Sequence, residues 1–212
     1  MANTDVRAKH RVGDVTAGLE SNEFNELYVV QGLPSYTEMV RQGVGFSTMS
    51  TTAVAGLVVR PGTTAAFEIF NANIAGGVSL IIDRLFFFNL VSTAVGETWS
   101  GWAQVTTPNR VATAPTDGSF VVRGSAGAAY GGAVIAAAGT TVIASGWFPW
   151  TNAVQKVAQA ATVTPQGTQV AEVSGRLIVP PQASLCLHVV SSIVGQTFTQ
   201  GASWYEKLIT LD

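Results

Sequence analysis

Cysteine and histidine, the side chains most often recruited for nucleophilic or metal chemistry, are almost missing from this chain of 212 residues: there is one cysteine, Cys186, and there are two histidines, His10 and His188. A single cysteine excludes a disulfide within the chain and any site built on several thiolates. The expected state of Cys186 is a buried structural thiol in a reducing compartment. Zinc sites need three or four Cys, His or carboxylate ligands, which two distant histidines do not supply, so no metal and no cofactor is expected. No Gly-Lys dipeptide occurs, which removes the phosphate loop Gly-x-x-x-x-Gly-Lys-Ser/Thr. GSAGAAYGG (Gly124–Gly132) has the glycines without the lysine. The nucleophile elbow Gly-x-Ser-x-Gly is also missing, since GFSTM (Gly45–Met49) ends in methionine.

Charge is the next shortage. Asp, Glu, Lys and Arg make up 11% of the chain, against about 25% in an ordinary soluble domain. The deficit is concentrated after Thr51, where the only bases are Arg60, Arg84, Arg110, Arg123, Lys156, Arg176 and Lys207. The acids there are Glu68, Asp83, Glu97, Asp117, Glu172, Glu206 and Asp212. Surface charge keeps monomers apart, and interface cores lose it. So little charge points to a protein that hides surface against other copies or partners, as a homo-oligomer (trimer or dimer) does. A net charge of −2 leaves no electrostatic footprint for nucleic acid.

Long apolar runs are missing too. VSLIIDRLFFFNLV (Val78–Val91) is interrupted by Asp83 and Arg84 and is shorter than the roughly 20 residues a membrane helix needs. No membrane partner is therefore expected. MANTDVRAKHRVGD has no apolar stretch of signal-peptide type, so synthesis in the cytoplasm is the expectation.

What is present divides at about residue 50. Residues 1–50 hold ten charges, including the cluster RAKHR (Arg7, Lys9, His10, Arg11). Arg7, Lys9 and Arg11 are the one weak foothold for nucleic acid; a solvated tail needs no such partner. ELYVVQ (Glu26–Gln31) reads as a strand or as part of an arm. PSYTEMVRQG reads as a short helix, with Ser35 and Glu38 at capping-box spacing and Gly43 at the C-terminal stop. After Thr51 come short runs rich in Val, Ile, Thr, Phe and Trp, punctuated by Gly, Pro, Asn and Ser. Such runs are strands with tight connections. The expected strands are 53–60, 64–71, 77–91 (one strand or two, bent near Asp83), 97–106, 118–123, 129–136, 140–147, 168–173, 175–180, 184–192 and 197–206. Within the small-residue stretch Gly124–Gly146, strands are placed around Tyr130–Ile135 and Thr140–Ala144. NAVQKVAQAA (Asn152–Ala161) has helical spacing of Val154, Val157, Ala158 and Ala161. The expected fold is all-β: an antiparallel β-sandwich, jelly-roll-like, over 51–212, with an extended N-terminal arm (1–50) carrying the helix. An eight-strand barrel and another Greek-key sandwich are the alternatives.

A shift of 120 residues lays LVVRPGTTAAFEI (Leu57–Ile69) over LIVPPQASLCLHV (Leu177–Val189). Leu57 meets Leu177, Val59 meets Val179, Pro61 meets Pro181, Phe67 meets Leu187 and Ile69 meets Val189. Each copy reads as strand, proline turn, strand. Because Ala66 and Glu68 occupy the places of Cys186 and His188, the Cys-x-His pair reads as part of a fold device. A thiol–imidazole site there lacks a third orienting group. The tryptophans of ETWSGW (Glu97–Trp102) and GWFPW (Gly146–Trp150) suit a core or a subunit interface, or a platform for sugars. Trp99, Trp102, Trp147, Trp150 and His188 are the candidate interface residues, and an interfacial His188 would make its contact pH-dependent.

The runs VVRPGTTAAFEIFNANIAGGVSLIIDRLFFFNLVSTA, ETWSGWAQV and GRLIVPPQASLCLHVVSSIVGQTFTQGASWYE resemble structural proteins of tailed-bacteriophage particles, in the style of jelly-roll capsid cement or decoration proteins. The resemblance covers about Val54 to Glu206 and leaves the arm unmatched. It implies a non-enzymatic virion protein, made in the host cytoplasm, that self-associates and binds the major capsid protein. It brings no catalytic residue. A receptor- or glycan-binding head of a phage tail fibre, using the tryptophan loops, is the alternative. A β-sandwich hydrolase with paired carboxylates is a third.

Overall fold

In the computed structural model the described residues are 7–9, 16–18, 35–92, 97–106, 120–127, 129–142, 146–151, 155–156 and 167–209. They fall into two compact units, Met1–Pro34 and Ser35–Asp212. In the first, β1 (Arg7–Lys9) pairs antiparallel with β2 (Thr16–Gly18), Ala8 opposite Ala17. Arg7 and Lys9 of the basic cluster therefore stand on a strand; His10, Arg11 and the run 26–31 lie outside the described residues.

The second unit starts with α1 (Ser35–Arg41). The chain leaves it through Gly43 in the left-handed region (φ 77°). The Gly43 amide donates to the Val40 carbonyl and Val44 to Met39, each at 3.0 Å, the two-bond C-terminal motif that glycine allows. The Glu38 carboxylate, expected to reach back to the helix start, instead accepts from Arg41 Nε (2.7 Å) and Gln42 Nε2 (2.8 Å).

Thirteen strands follow: β3 (Gly45–Met49), β4 (Val54–Ala55), β5 (Thr64–Asn71), β6 (Ser79–Val91), β7 (Thr98–Val105), β8 (Arg123–Gly124), β9 (Val134–Thr141), β10 (Phe148–Pro149), β11 (Gln155–Lys156), β12 (Gly167–Glu172), β13 (Ile178–Val179), β14 (Ser184–Ser191) and β15 (Thr197–Lys207). One sheet runs β12-β6-β15-β3-β8, with β13 on β6 and β4 on β15. The other runs β10-β7-β14-β5-β9, with β11 also on β7. All these strand pairs are antiparallel. The principal strands β3, β5, β6, β7, β10/β11, β12, β14 and β15 give sheets ordered β3-β15-β6-β12 and β5-β14-β7-β10/β11, which is jelly-roll connectivity. β8 and β9, inserted between β7 and β10, widen one sheet each.

Alternation drives this assembly. Phe67, Ile69, Leu185, Leu187, Val189, Trp99 and Ala103 from one sheet meet Leu80, Ile82, Leu85, Phe87, Phe198 and Trp204 from the other in a single buried core. On β6 the inward parity switches from even (Leu80, Ile82) to odd (Leu85, Phe87). The pairing with β15 skips Asp83 at that point, from Ser203↔Arg84 to Trp204↔Ile82. A bulge at Asp83 lets both halves of one long strand face the core, so 77–91 is one strand.

The repeated corner is partly realised. β4 to β5 and β13 to β14 each carry the chain from one sheet to the other. β5 and β14 pair with Phe67 directly opposite Leu187, the residues matched by the 120-residue shift, so the two copies meet about a local two-fold. Their first halves differ: Ile178–Val179 form β13, whereas Val58 and Val59 are exposed.

Within the second unit α1 and β3 pack with β15. Several expected strands and one expected helix need correction. The strands expected at 129–136 and 140–147 are one strand, Val134–Thr141, along β5. The Tyr130 hydroxyl accepts the Val134 amide and donates to Glu206 Oε1, holding the preceding residues in a loop. Of 118–123, residues 118–119 lie outside the described residues; Phe120 makes an isolated bridge to Ala136 and the strand is Arg123–Gly124. In the expected helix 152–161, Gln155 and Lys156 pair with Trp99 and Thr98 as β11, since the open edge of β7 offers hydrogen bonds that weak helical spacing does not outweigh; the rest of that span lies outside the described residues. β13 is short because Ser174 (φ 50°) and Gly175 (φ 80°) turn the chain just before it.

Candidate functional site

The rare residues Cys186 and His188 lie on the side of the β5-β14-β7 sheet that faces away from the core. Glu68, Cys186 and Gln104 are directly opposite one another across β5, β14 and β7, and His188 is opposite Trp102. The layer is closed: Glu68, Ser184, Gln104, Cys186 and His188 are all buried. Ser184 Oγ donates to Glu68 Oε1 at 2.5 Å, and Trp147 packs with Ala65, Val142 and Cys186. A buried carboxyl group is tolerable only when hydrogen-bonded, and the serine supplies such a bond. The Val189 amide and carbonyl both lie within hydrogen-bond distance of His188 Nδ1, at 2.9 and 3.1 Å. Burial holds His188 below the ordinary histidine range; the Val189 carbonyl, 3.1 Å from the ring nitrogen, opposes this in part. Among the described residues this layer joins strands, and its polar side chains are buried.

The candidate tryptophans separate. Trp99 is inside the sandwich, its ring 5.1 Å from that of Phe198. Trp147 is buried and donates from Nε1 to the Gly62 carbonyl at 2.8 Å. With His188 they are taken up by the chain's own packing. Trp102 and Trp150 remain partly exposed: Trp102 donates to Ser100 Oγ at 3.0 Å, and Trp150 leans on the core under the Arg176 guanidinium, 5.9 Å from its ring centre.

Sequence reasoning missed the outer face of the other sheet. One row across it reads Met49, Gly201, Phe86, Val170, each opposite the next. Beside it stand Thr199, Phe88 and Thr168, and on the other side Arg123, Ser47, Ser203, Arg84 and Glu172. Met49 (45% exposed), Val170 (47%) and Val121 (64%) are open to solvent. A groove of about 520 Å³ runs between Met49, Val121 and Arg123 on one bank and Phe86 and Phe88 on the other. Its floor is low because Gly201 has no side chain; a Cβ there would run into the Thr48 carbonyl and come within 2.9 Å of Met49 Cα. Arg84 pairs with Glu172 at 3.0 Å at the end of the charged row. The signal was in LFFFN: three consecutive aromatics on a strand cannot all point inward, and Phe86 and Phe88 flank the buried Phe87.

Among the described residues no group of three or more His, Cys, Asp or Glu is placed to hold a metal ion, and no helix is long and apolar enough to cross a membrane. No protein-family model, curated protein or solved structure matches the chain. The class established is an all-β jelly-roll sandwich with one apolar outer face.

Proposed function

We propose that this chain is a non-enzymatic structural protein of a tailed-phage virion, a cement that self-associates and binds the major capsid protein to stabilise the particle. The observation that carries the reading is the uncovered apolar row Met49–Phe86–Val170 on a sheet flanked by few charges. A contiguous apolar patch of this kind marks a contact surface, and cement works by spreading area over many neighbours. Jelly rolls serve in viral capsids and in lectins alike, so the fold leaves the fibre-head alternative open. For that alternative, two of the four tryptophans intended for sugar, Trp99 and Trp147, are buried.

The test is to locate the chain in purified particles and count it. Cement predicts a copy number comparable with that of the shell protein, and particles that lose heat and low-salt resistance when the chain is deleted. A handful of copies at the tail, or deletion particles as robust as intact ones, would sink the cement reading.

A further inference from the structure

We infer that the apolar outer face of the β12-β6-β15-β3-β8 sheet is closed by the same face of a second copy, through a two-fold axis lying parallel to the strands above β15. The inference rests on the reading of the chain as a protein that acts through its surface, and it names the partner of that surface.

The charged row has Arg123 at the β8 edge and Glu172 at the β12 edge, with Ser47, Ser203 and Arg84 between them. Rotation by 180° about an axis along the strands keeps every row over its own counterpart and exchanges the two edges. The exposed Arg123 of one copy then lies over Glu172 of the other, twice per dimer, as an isologous contact requires. An in-plane axis across the strands would reverse the rows and set this charged row over threonines. Charge therefore selects the first axis.

The apolar row fits the same operation. With β15 over β15, Phe86 meets Met49 and Val170 meets the Val121 side of the partner. The two glycines at position 201 face each other on the axis, and the groove each leaves becomes a common channel for the flanking Phe86 and Phe88 rings. Sheets stacked in this way sit about 10 Å apart and about −30° from alignment, a gap that Phe, Met and Arg side chains bridge.

Five strands at about 4.8 Å by about five residues at 3.4 Å give a patch of roughly 20 by 17 Å. At about 340 Å² per copy this is less than half of the roughly 800 Å² per partner of a standard specific interface. The pairing is weak in free solution, in the micromolar range, and is reinforced where copies are concentrated on a surface.

The test uses the full chain and its measured mass in solution by sedimentation or light scattering, over about 1 to 100 μM. The wild type is expected to move from about 22 kDa to twice that mass. Arg123→Glu and Glu172→Arg, each alone, set like charges opposite one another at both ends and weaken the dimer by about tenfold. Mixed one to one, the two variants restore both opposite-charge pairs and dimerise like the wild type. A misfolded variant cannot produce that rescue. A wild type that remains monomeric overturns the inference. So do a three-subunit mass and a dimer indifferent to the charge swaps. A monomer that still coats particles would defeat the pairing and leave the cement reading standing; a charge-swap dimer absent from particles would do the reverse.

Discussion

Replacing Gly101 by alanine adds one methyl group at the tightest point of the sandwich. Gly101 is on β7, opposite Val189 of β14, and is buried. A Cβ at this position would lie 2.6 Å from Cζ of Phe87, and closer still to two other carbons of that ring; ordinary contacts begin near 3.4 Å. The Phe87 ring has little room to retreat, since it is wholly buried and flanked on its own sheet by Gln169 and Gln200. Gln169 is held in turn by a 3.0 Å bond from Nε2 to the Trp99 carbonyl. Overpacking of this kind costs about 1–3 kcal/mol. Against it stands the reduced freedom of the unfolded chain, which favours alanine by about 0.4–1 kcal/mol where the backbone is compatible. The net is a loss of about 1–2 kcal/mol, or roughly 2–8 °C in Tm for a domain of this size. Urea unfolding gives the free energy and calorimetry the Tm. The diagnostic experiment pairs Gly101→Ala with Phe87→Leu, which removes two of the three clashing ring carbons, Cε2 and Cζ. The double variant is expected to lose less than the sum of the singles, because the two changes share one volume. Strict additivity, or a Gly101→Ala chain as stable as the wild type, would refute this packing of the two sheets.

Three further outcomes follow from the closed polar layer. His188 is held neutral, so the unfolded chain takes up a proton that the folded chain resists as pH falls below about 6.5; stability is present above that pH and declines below it, by up to about 1.4 kcal/mol per unit. His188→Gln should flatten that decline in urea titrations between pH 8 and 5; an unchanged slope would remove the histidine from the account. The Asp83 carboxyl, raised by burial, works in the opposite sense at lower pH, and the difference between variant and wild type cancels it. Ser184→Ala should cost about 1–3 kcal/mol by withdrawing a hydrogen-bond partner from the buried Glu68 carboxyl group, and Ser184→Ala with Glu68→Leu should cost less than Ser184→Ala with Glu68 retained; thermal unfolding of the two variants decides it. Cys186 should react with a thiol reagent only at the rate of opening, so labelling in native buffer as fast as in denaturant would show that the layer is not closed.

Much of the fold was legible because alternation is a local signal. Thr64–Asn71 was readable to the residue, since TAAFEIFN begins after a proline-glycine turn and presents Phe67 and Ile69 to one side. The kink near Asp83 was readable because a charge interrupts an apolar run, although only the partner strand shows that the interruption is a bulge within one strand. Segments of small residues were less legible: in AVIAAAGTT neither size nor polarity marks a face, and the pairing partner β5 decides where β9 starts and stops. The same applies to Gln155–Lys156, where the vacant hydrogen bonds of a neighbouring edge outweigh a few tenths of a kcal/mol of helix propensity.

The candidate surface was hard to read for a different reason. Rarity drew attention to Cys186, His188 and the tryptophans, but a rare side chain in a charge-poor chain is more useful where it is buried. Large rings fill the space between sheets, and a lone imidazole or thiol avoids the desolvation cost that a second charge would add. Contact surfaces are built instead from common residues whose position is unusual. Phe86 and Phe88 are ordinary strand residues until the bulge at Asp83 sets the parity that turns Phe87 inward and both of them outward. Gly201 is an ordinary glycine until β3 comes so close that no side chain fits, lowering the floor between them. Neither fact is contained in the local pattern; both depend on how β6 and β3 register against β15. A charge-poor strand with three successive aromatics must leave at least one ring on the outer side of its sheet, and a ring left there needs a partner surface.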